Sequence, residues 1–176
     1  MSPSEDALRV FEGDLVLAIE HVDACVATFR GTEDVDLQFL FAERLPTLGS
    51  AALPALRKIL DDPEVSGSLR YLAAWVALQI GDRGDSVAVL CREVETATRW
   101  SLPAAGALAQ FGIREGVGPV LAALSRVDPQ DTAEVIGYVT ALRDLGGDLP
   151  TPARERFRSE GPRWMMRAIE DDFPEV

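Results

Sequence analysis

Apolar residues return along this chain in a rhythm that fits α-helices and offers no β-strand of useful length. The rhythm is clearest before four glycines, Gly49, Gly81, Gly112 and Gly146, which stand 32, 31 and 34 residues apart. One position before them are Leu48, Ile80, Phe111 and Leu145, and four before are Leu45, Ala77, Leu108 and Leu142. Seven before come Ala42, Ala74, Ala105 and Val139, and eight before come Phe41, Ala73, Ala104 and Tyr138. Offsets of one, four, seven and eight trace a single face of an α-helix, so these positions are the expected core. The small residues seven before let neighbouring helices approach closely. Each glycine is the expected helix-ending residue, free to take the left-handed conformation.

A second apolar run follows each glycine after a short polar turn: Ala51 to Leu60, Ser86 to Val94, Val117 to Leu124, and a weaker one at Pro152 to Phe157. Pro54 and Pro119 fall early in these runs, where a helix needs no N–H donor. A period of just over thirty residues built from paired helices predicts stacked helical hairpins. The ends depart from the repeat, as caps do. Glu5 to Phe29 carries the stripe Leu8, Phe11, Leu15, Ile19, Val22, Val26 and Phe29, with acids opposite and Gly13 as a break point. Gly31 to Asp34 reads as a linker, Pro150 to Phe157 and Pro162 to Ile169 as two short helices, and Glu170 to Val176 as a frayed tail. The expectation is one domain over 1–176: an acidic cap in 1–30, well-matched repeats in 37–126, and a degenerate repeat with a C-terminal cap in 131–169.

One stretch resembles a known family. Ala52-Leu53-Pro54-Ala55-Leu56, Asp62-Pro63-Glu64-Val65, Arg70, Ala73-Ala74, Ala77-Leu78 and Ile80-Gly81-Asp82 look like a HEAT repeat of the bacterial short type. The likeness is good from about Leu37 to Leu124. The third repeat departs from it, with Val94-Glu95-Thr96-Ala97-Thr98 where the D-P-E-V turn is expected. The resemblance implies an all-α, right-handed, armadillo-type α-solenoid of about four hairpins between helical caps. It implies little about activity, because that fold serves scaffolds, adaptors and enzymes alike.

Composition narrows the function classes. The 176 residues are 47% hydrophobic, with 29 acidic against 17 basic residues and a net charge of −12. Nine of the acids fall in residues 1–36 against two arginines. An anionic surface repels phosphate backbones, so nucleic acid and anionic membranes are not expected partners, and a HEAT-like DNA glycosylase is disfavoured. No apolar run approaches a membrane span, and the start lacks the basic and apolar regions of a signal peptide, so the expected location is cytoplasmic. Lys58 is the only lysine and asparagine is absent, which suits a GC-rich bacterial coding bias. Cys25 and Cys91 lie on apolar stretches without metal-like spacing and are expected to be reduced, buried and inert.

Catalytic patterns are thin. His21, the sole histidine, sits beside Glu20 and Asp23 and reads as a solvated surface residue. One histidine excludes His-rich metal sites, and Gly112-Ile-Arg-Glu-Gly-Val-Gly matches no phosphate-binding loop. Arg83-Gly84-Asp85 is a coincidental tripeptide in a turn. No cofactor and no metal are expected, and the chain is read as a non-enzyme.

The informative positions are those two, six and ten before each glycine, which point away from the core. In the resembled family these second helices line the concave face. Here they carry Phe39, Glu43 and Thr47; Tyr71, Trp75 and Gln79; Leu102, Gly106 and Gln110; and Ile136, Thr140 and Asp144. That face is poor in charge and rich in aromatic and amide groups, as protein contacts tend to be. Phe39, Glu43, Tyr71, Trp75, Gln79, Leu102 and Gln110 are therefore the expected partner-binding residues, with Tyr71 and Trp75 as anchors. Two alternatives accompany that reading: Trp75 fills space left by Gly106, and Phe39, Leu102 and Ile136 pack internally. Trp164-Met165-Met166 reads as a hydrophobic seal, or else a partner contact. The expected function is a protein-interaction module for a partner that a basic surface would suit. An inhibitor neutralising a bacterial toxin is a narrower form of it, and a groove of paired carboxylates binding or converting a small molecule is the rival.

Overall fold

The computed structural model describes residues 20–65 and 67–173. Among these residues the chain is helical or irregular, with no strand. The α-helices are α1 (Val22–Gly31), α2 (Val35–Arg44), α3 (Leu53–Leu60), α4 (Gly67–Ile80), α5 (Asp85–Glu95), α6 (Ser101–Gln110), α7 (Val117–Arg126), α8 (Thr132–Asp144), α9 (Thr151–Glu160) and α10 (Arg163–Asp172), with 3₁₀ turns at Leu45–Ala52 and Arg114–Gly116. The N-terminal cap stripe up to Ile19, and Gly13 within it, lie outside the described residues. Thr32 to Asp34 link α1 and α2, whereas Gly31, expected in that linker, is the last residue of α1.

Local chemistry sets the helix ends. Asp34 caps α2, its carboxylate accepting from the N–H groups of Asp36 at 2.9 Å and Leu37 at 3.2 Å, and Asp131 caps α8 through Glu134 N–H at 3.1 Å. Pro152 enters α9 in its first turn, and Pro162 immediately precedes α10. The four repeating glycines all adopt positive φ: 58° at Gly49, 110° at Gly81, 62° at Gly112 and 70° at Gly146. Three of them close the same paired hydrogen bonds over the helix end. Gly81 N–H bonds Leu78 O at 3.1 Å while Asp82 N–H bonds Ala77 O at 2.9 Å. Gly112 and Ile113 repeat this on Ala109 and Leu108, and Gly146 and Gly147 on Arg143 and Leu142. Gly49 is different. Pro46 has no N–H to donate to the preceding turn, so α2 stops at Arg44 although Leu45 keeps a right-handed helical backbone, and the glycine breaks a 3₁₀ segment instead.

The expected core face is the observed one. Of the sixteen positions one, four, seven and eight before the glycines, all but Ile80 and Phe111 are buried, and those two are half-buried. The described chain divides into two compact units, 20–89 and 90–173, with the boundary inside α5. In the first, α2 packs on α4, α4 on α3, and α1 on α3. Phe29 and Phe41 are fully buried there, each contributing about 1.5–3 kcal/mol of hydrophobic stabilisation. In the second, α6 packs on α8, α8 on α7 and on α10, and α9 on α10. Leu102 of α6 lies over Gly137 of α8, where an added Cβ would sit 2.8 Å from a Leu102 methyl.

Side-chain bonds inside each unit repeat the sequence period. Arg30 reaches Asp62 and Ser68 reaches Gln38 at separations of 32 and 30 residues in the first unit. In the second, Arg126 reaches Val94, Arg156 reaches Leu124 and Arg114 reaches Gly146, each across 32 residues. Arg126 and Arg156 serve the carbonyls that α5 and α7 leave unpaired at their C-terminal ends, where a cation also suits the helix dipole.

Candidate functional site

The outward positions are exposed or half-buried, with one exception. On α2, Phe39 keeps 36% of its surface exposed and Glu43 is exposed. On α4, which packs against α2, Trp75 and Gln79 are half-buried. Tyr71 is the exception: it is 7% exposed, and burial pushes its phenol above the usual range. α4 is apolar around most of its circumference and is flanked by α2, α3 and the Leu45–Ala52 turn, so its first turns are enclosed. In the second unit Gln110 is exposed, and Leu102 is half-buried on Gly137, the packing alternative raised by the sequence. A Cβ built at Gly106 would meet nothing within 4 Å. The C-terminal cluster splits: Met165 and Met166 are buried, whereas Trp164 is 58% exposed.

Next to α4 lies a charged network. The Asp82 side chain is almost wholly buried and accepts from Arg57 Nη2 at 2.8 Å and from Ser86 N–H at 2.9 Å, while Ser86 Oγ donates to the Asp82 carbonyl at 2.8 Å. Burial alone would raise this carboxyl; the bonds from Arg57 and Ser86 outweigh it and hold the carboxyl below the usual range. This arrangement is that of an ionised, structural carboxylate tying α3 to the start of α5. In the Asp62 turn, Arg70 Nη2 donates to the Asp62 carbonyl at 2.6 Å and Asp62 accepts from Glu64 N–H at 2.9 Å.

The cysteines are free. Cys25 is buried and Cys91 half-buried, so Cys91 is less enclosed than expected, and burial raises both thiols. His21 is exposed. Among the described residues no three His, Cys, Asp or Glu side chains are grouped to hold a metal ion, and no helix is long and apolar enough to cross a membrane.

A polar cleft of about 140 Å³ in the second unit escaped the sequence reading. Its polar wall is Thr98, Ser101, Arg126, Glu134 and Tyr138, and Ala97, Ala123 and Val127 complete it. Tyr138 OH donates to Ser101 Oγ at 2.7 Å, and Ser101 Oγ donates to Val94 O at 2.8 Å. Arg126 Nη2 donates to Glu95 O at 3.0 Å and Val94 O at 3.4 Å. Tyr138 is raised mainly by burial; the Ser101 bond and Arg126 oppose that, and the Glu134 charge adds to it. The turn at the mouth holds Ala97 at φ 53°, the only non-glycine with positive φ among the described residues. The signal in the sequence was the missing D-P-E-V turn at 94–98. No family model, curated protein or solved structure matches the chain.

Proposed function

We propose that this protein is a right-handed α-solenoid of HEAT-like hairpins that docks a basic protein partner through the aromatic face of α2 and α4. The observation that carries the reading is that Phe39 and Trp75, on two helices packed together, keep aromatic surface in solvent where the helical register turns outward. The exposed Glu43 and the half-buried Gln79 lie on the same two helices, and Glu43 supplies a polar contact beside the rings. Tyr71, buried one turn before Trp75, takes the part of a support and not of a contact. Glycine-ended helices and side-chain bonds at one-repeat separations support the hairpin repeat. The net charge of −12 favours a basic partner by steering its approach.

The test compares native-lysate capture by the wild type, by Phe39→Ala with Trp75→Ala, and by Trp164→Ala as a control for the other exposed ring. A stoichiometric partner held by the wild type and the control and lost by the folded double variant is the expected result. Rebinding of the purified partner should weaken by about 2 kcal/mol or more, thirtyfold, in the double variant. Undiminished binding to the folded double variant would overturn the docking face.

A further inference from the structure

The cleft in the second unit lies where a small side chain stands in the register of a large one. Arg70 and Ser101 hold the same register, each eleven positions before a repeat glycine, Gly81 and Gly112. In the Asp62 turn the arginine fills that position and donates to the Asp62 carbonyl. In the following repeat the short serine donates to Val94 O instead, and a cleft of about 140 Å³ is left in front of it. A cavity near 150 Å³ accommodates a molecule of about six non-hydrogen atoms. The size therefore suits a small metabolite.

The lining defines the chemistry. Arg126 and Glu134, of opposite charge, border the same cleft and form no ion pair with each other among the described residues. Arg126 commits Nη2 to two backbone carbonyls, which fixes the guanidinium in place and leaves its other N–H groups to donate. Among the described residues the Glu134 carboxylate makes no hydrogen bond or ion pair, while its backbone N–H donates to Asp131. The Tyr138 hydroxyl donates its proton to Ser101, so its own lone pairs remain as acceptors at the back of the cleft. One fixed cation, one unpaired anion and one oriented acceptor around a space this small match a ligand carrying a carboxylate and an ammonium group close together. Ala97 holds its left-handed backbone at the mouth at a cost that a glycine would avoid, and such strain concentrates at binding sites.

We infer that the Ser101–Tyr138 cleft binds a small zwitterionic α-amino acid, its carboxylate on Arg126 and its ammonium on Glu134. This site is separate from the α2–α4 face and does not depend on the docking reading. L-alanine serves as the probe, titrated into the full ¹⁵N-labelled chain and followed by amide shifts, with N-acetyl-L-alanine and L-alaninamide as analogues lacking one charge each. Saturable shifts centred on Thr98, Ser101, Ala123 and Tyr138 are expected, with binding at least tenfold weaker for both analogues and for Glu134→Gln. Glu134 is exposed and its side chain makes no hydrogen bond or ion pair among the described residues, so that variant is expected to keep its fold, which the dispersion of the amide spectrum checks. Equal binding of N-acetyl-L-alanine and L-alanine would reduce the cleft to an anion site and overturn the inference. So would L-alanine shifts that fail to saturate, that fall elsewhere, or that Glu134→Gln leaves unchanged.

Discussion

At the scale of single residues, two positions carry more than their share of the energetics. Asp82 is a buried carboxylate whose ionised form is stabilised by Arg57 and Ser86. Its folded pKa lies below the unfolded value near 3.9, so its contribution is fully present above that value and is lost as pH falls through the folded one. Asp82→Asn should lower stability near neutral pH by about 1.5–3 kcal/mol, the range for a hydrogen bond to a charged group. The variant should also lose less stability than the wild type on acidification below about pH 4. Urea unfolding of both proteins across that window measures each effect. Ala97 works in the opposite direction. A left-handed alanine costs roughly 1–2 kcal/mol, and glycine recovers this less about 0.4–1 kcal/mol for its freer unfolded chain. Ala97→Gly should therefore be neutral to stabilising by about 1 kcal/mol, which the urea midpoint would register; clear destabilisation would contradict the assigned backbone.

At the scale of elements, the glycines that end α4, α6 and α8 set where each helix stops and the chain turns. Gly112 separates backbone from packing, because a Cβ there would meet nothing within 4 Å although φ is 62°. Gly112→Ala should cost up to about 1.5 kcal/mol, its backbone strain less about 0.4–1 kcal/mol for the stiffer unfolded chain, whereas Gln110→Ala, exposed and two residues earlier, should stay within about 0.5 kcal/mol. Thermal or urea unfolding of the pair checks the assignment. These ends were legible because glycine spacing and helical period are local properties of the chain. The end of α2 was not legible in the same way: Gly49 matched the pattern, but Pro46 had already stopped the helix. Tyr71 was misplaced for a different reason. Register says which way a side chain points, and only the neighbouring helices decide whether water is there; α2, α3 and the Leu45–Ala52 turn enclose it. The cleft was hidden for the complementary reason. A serine in place of an arginine reads as a weak repeat, and the space it opens depends on Arg126, Glu134 and Tyr138, which arrive from later helices.

At the scale of the whole molecule, charge matters more than any single contact. A net charge of −12 on 176 residues creates a negative field that reaches about 8–10 Å into solution at moderate ionic strength before salt screens it. The proposed docking surface, Phe39, Trp75 and Gln79 with the single carboxylate Glu43, is nearly neutral. Under the proposed docking function the work divides: the field would gather a basic partner, and the aromatic rings would hold it once it arrives. Raising salt from low to physiological strength should slow association markedly while leaving dissociation almost unchanged. Phe39→Ala with Trp75→Ala should do the reverse, speeding dissociation with little effect on association. Stopped-flow measurement of both rate constants for the purified partner separates the two contributions. Salt acting chiefly on dissociation would instead place charge pairs inside the interface, and the aromatic face would then be the wrong surface.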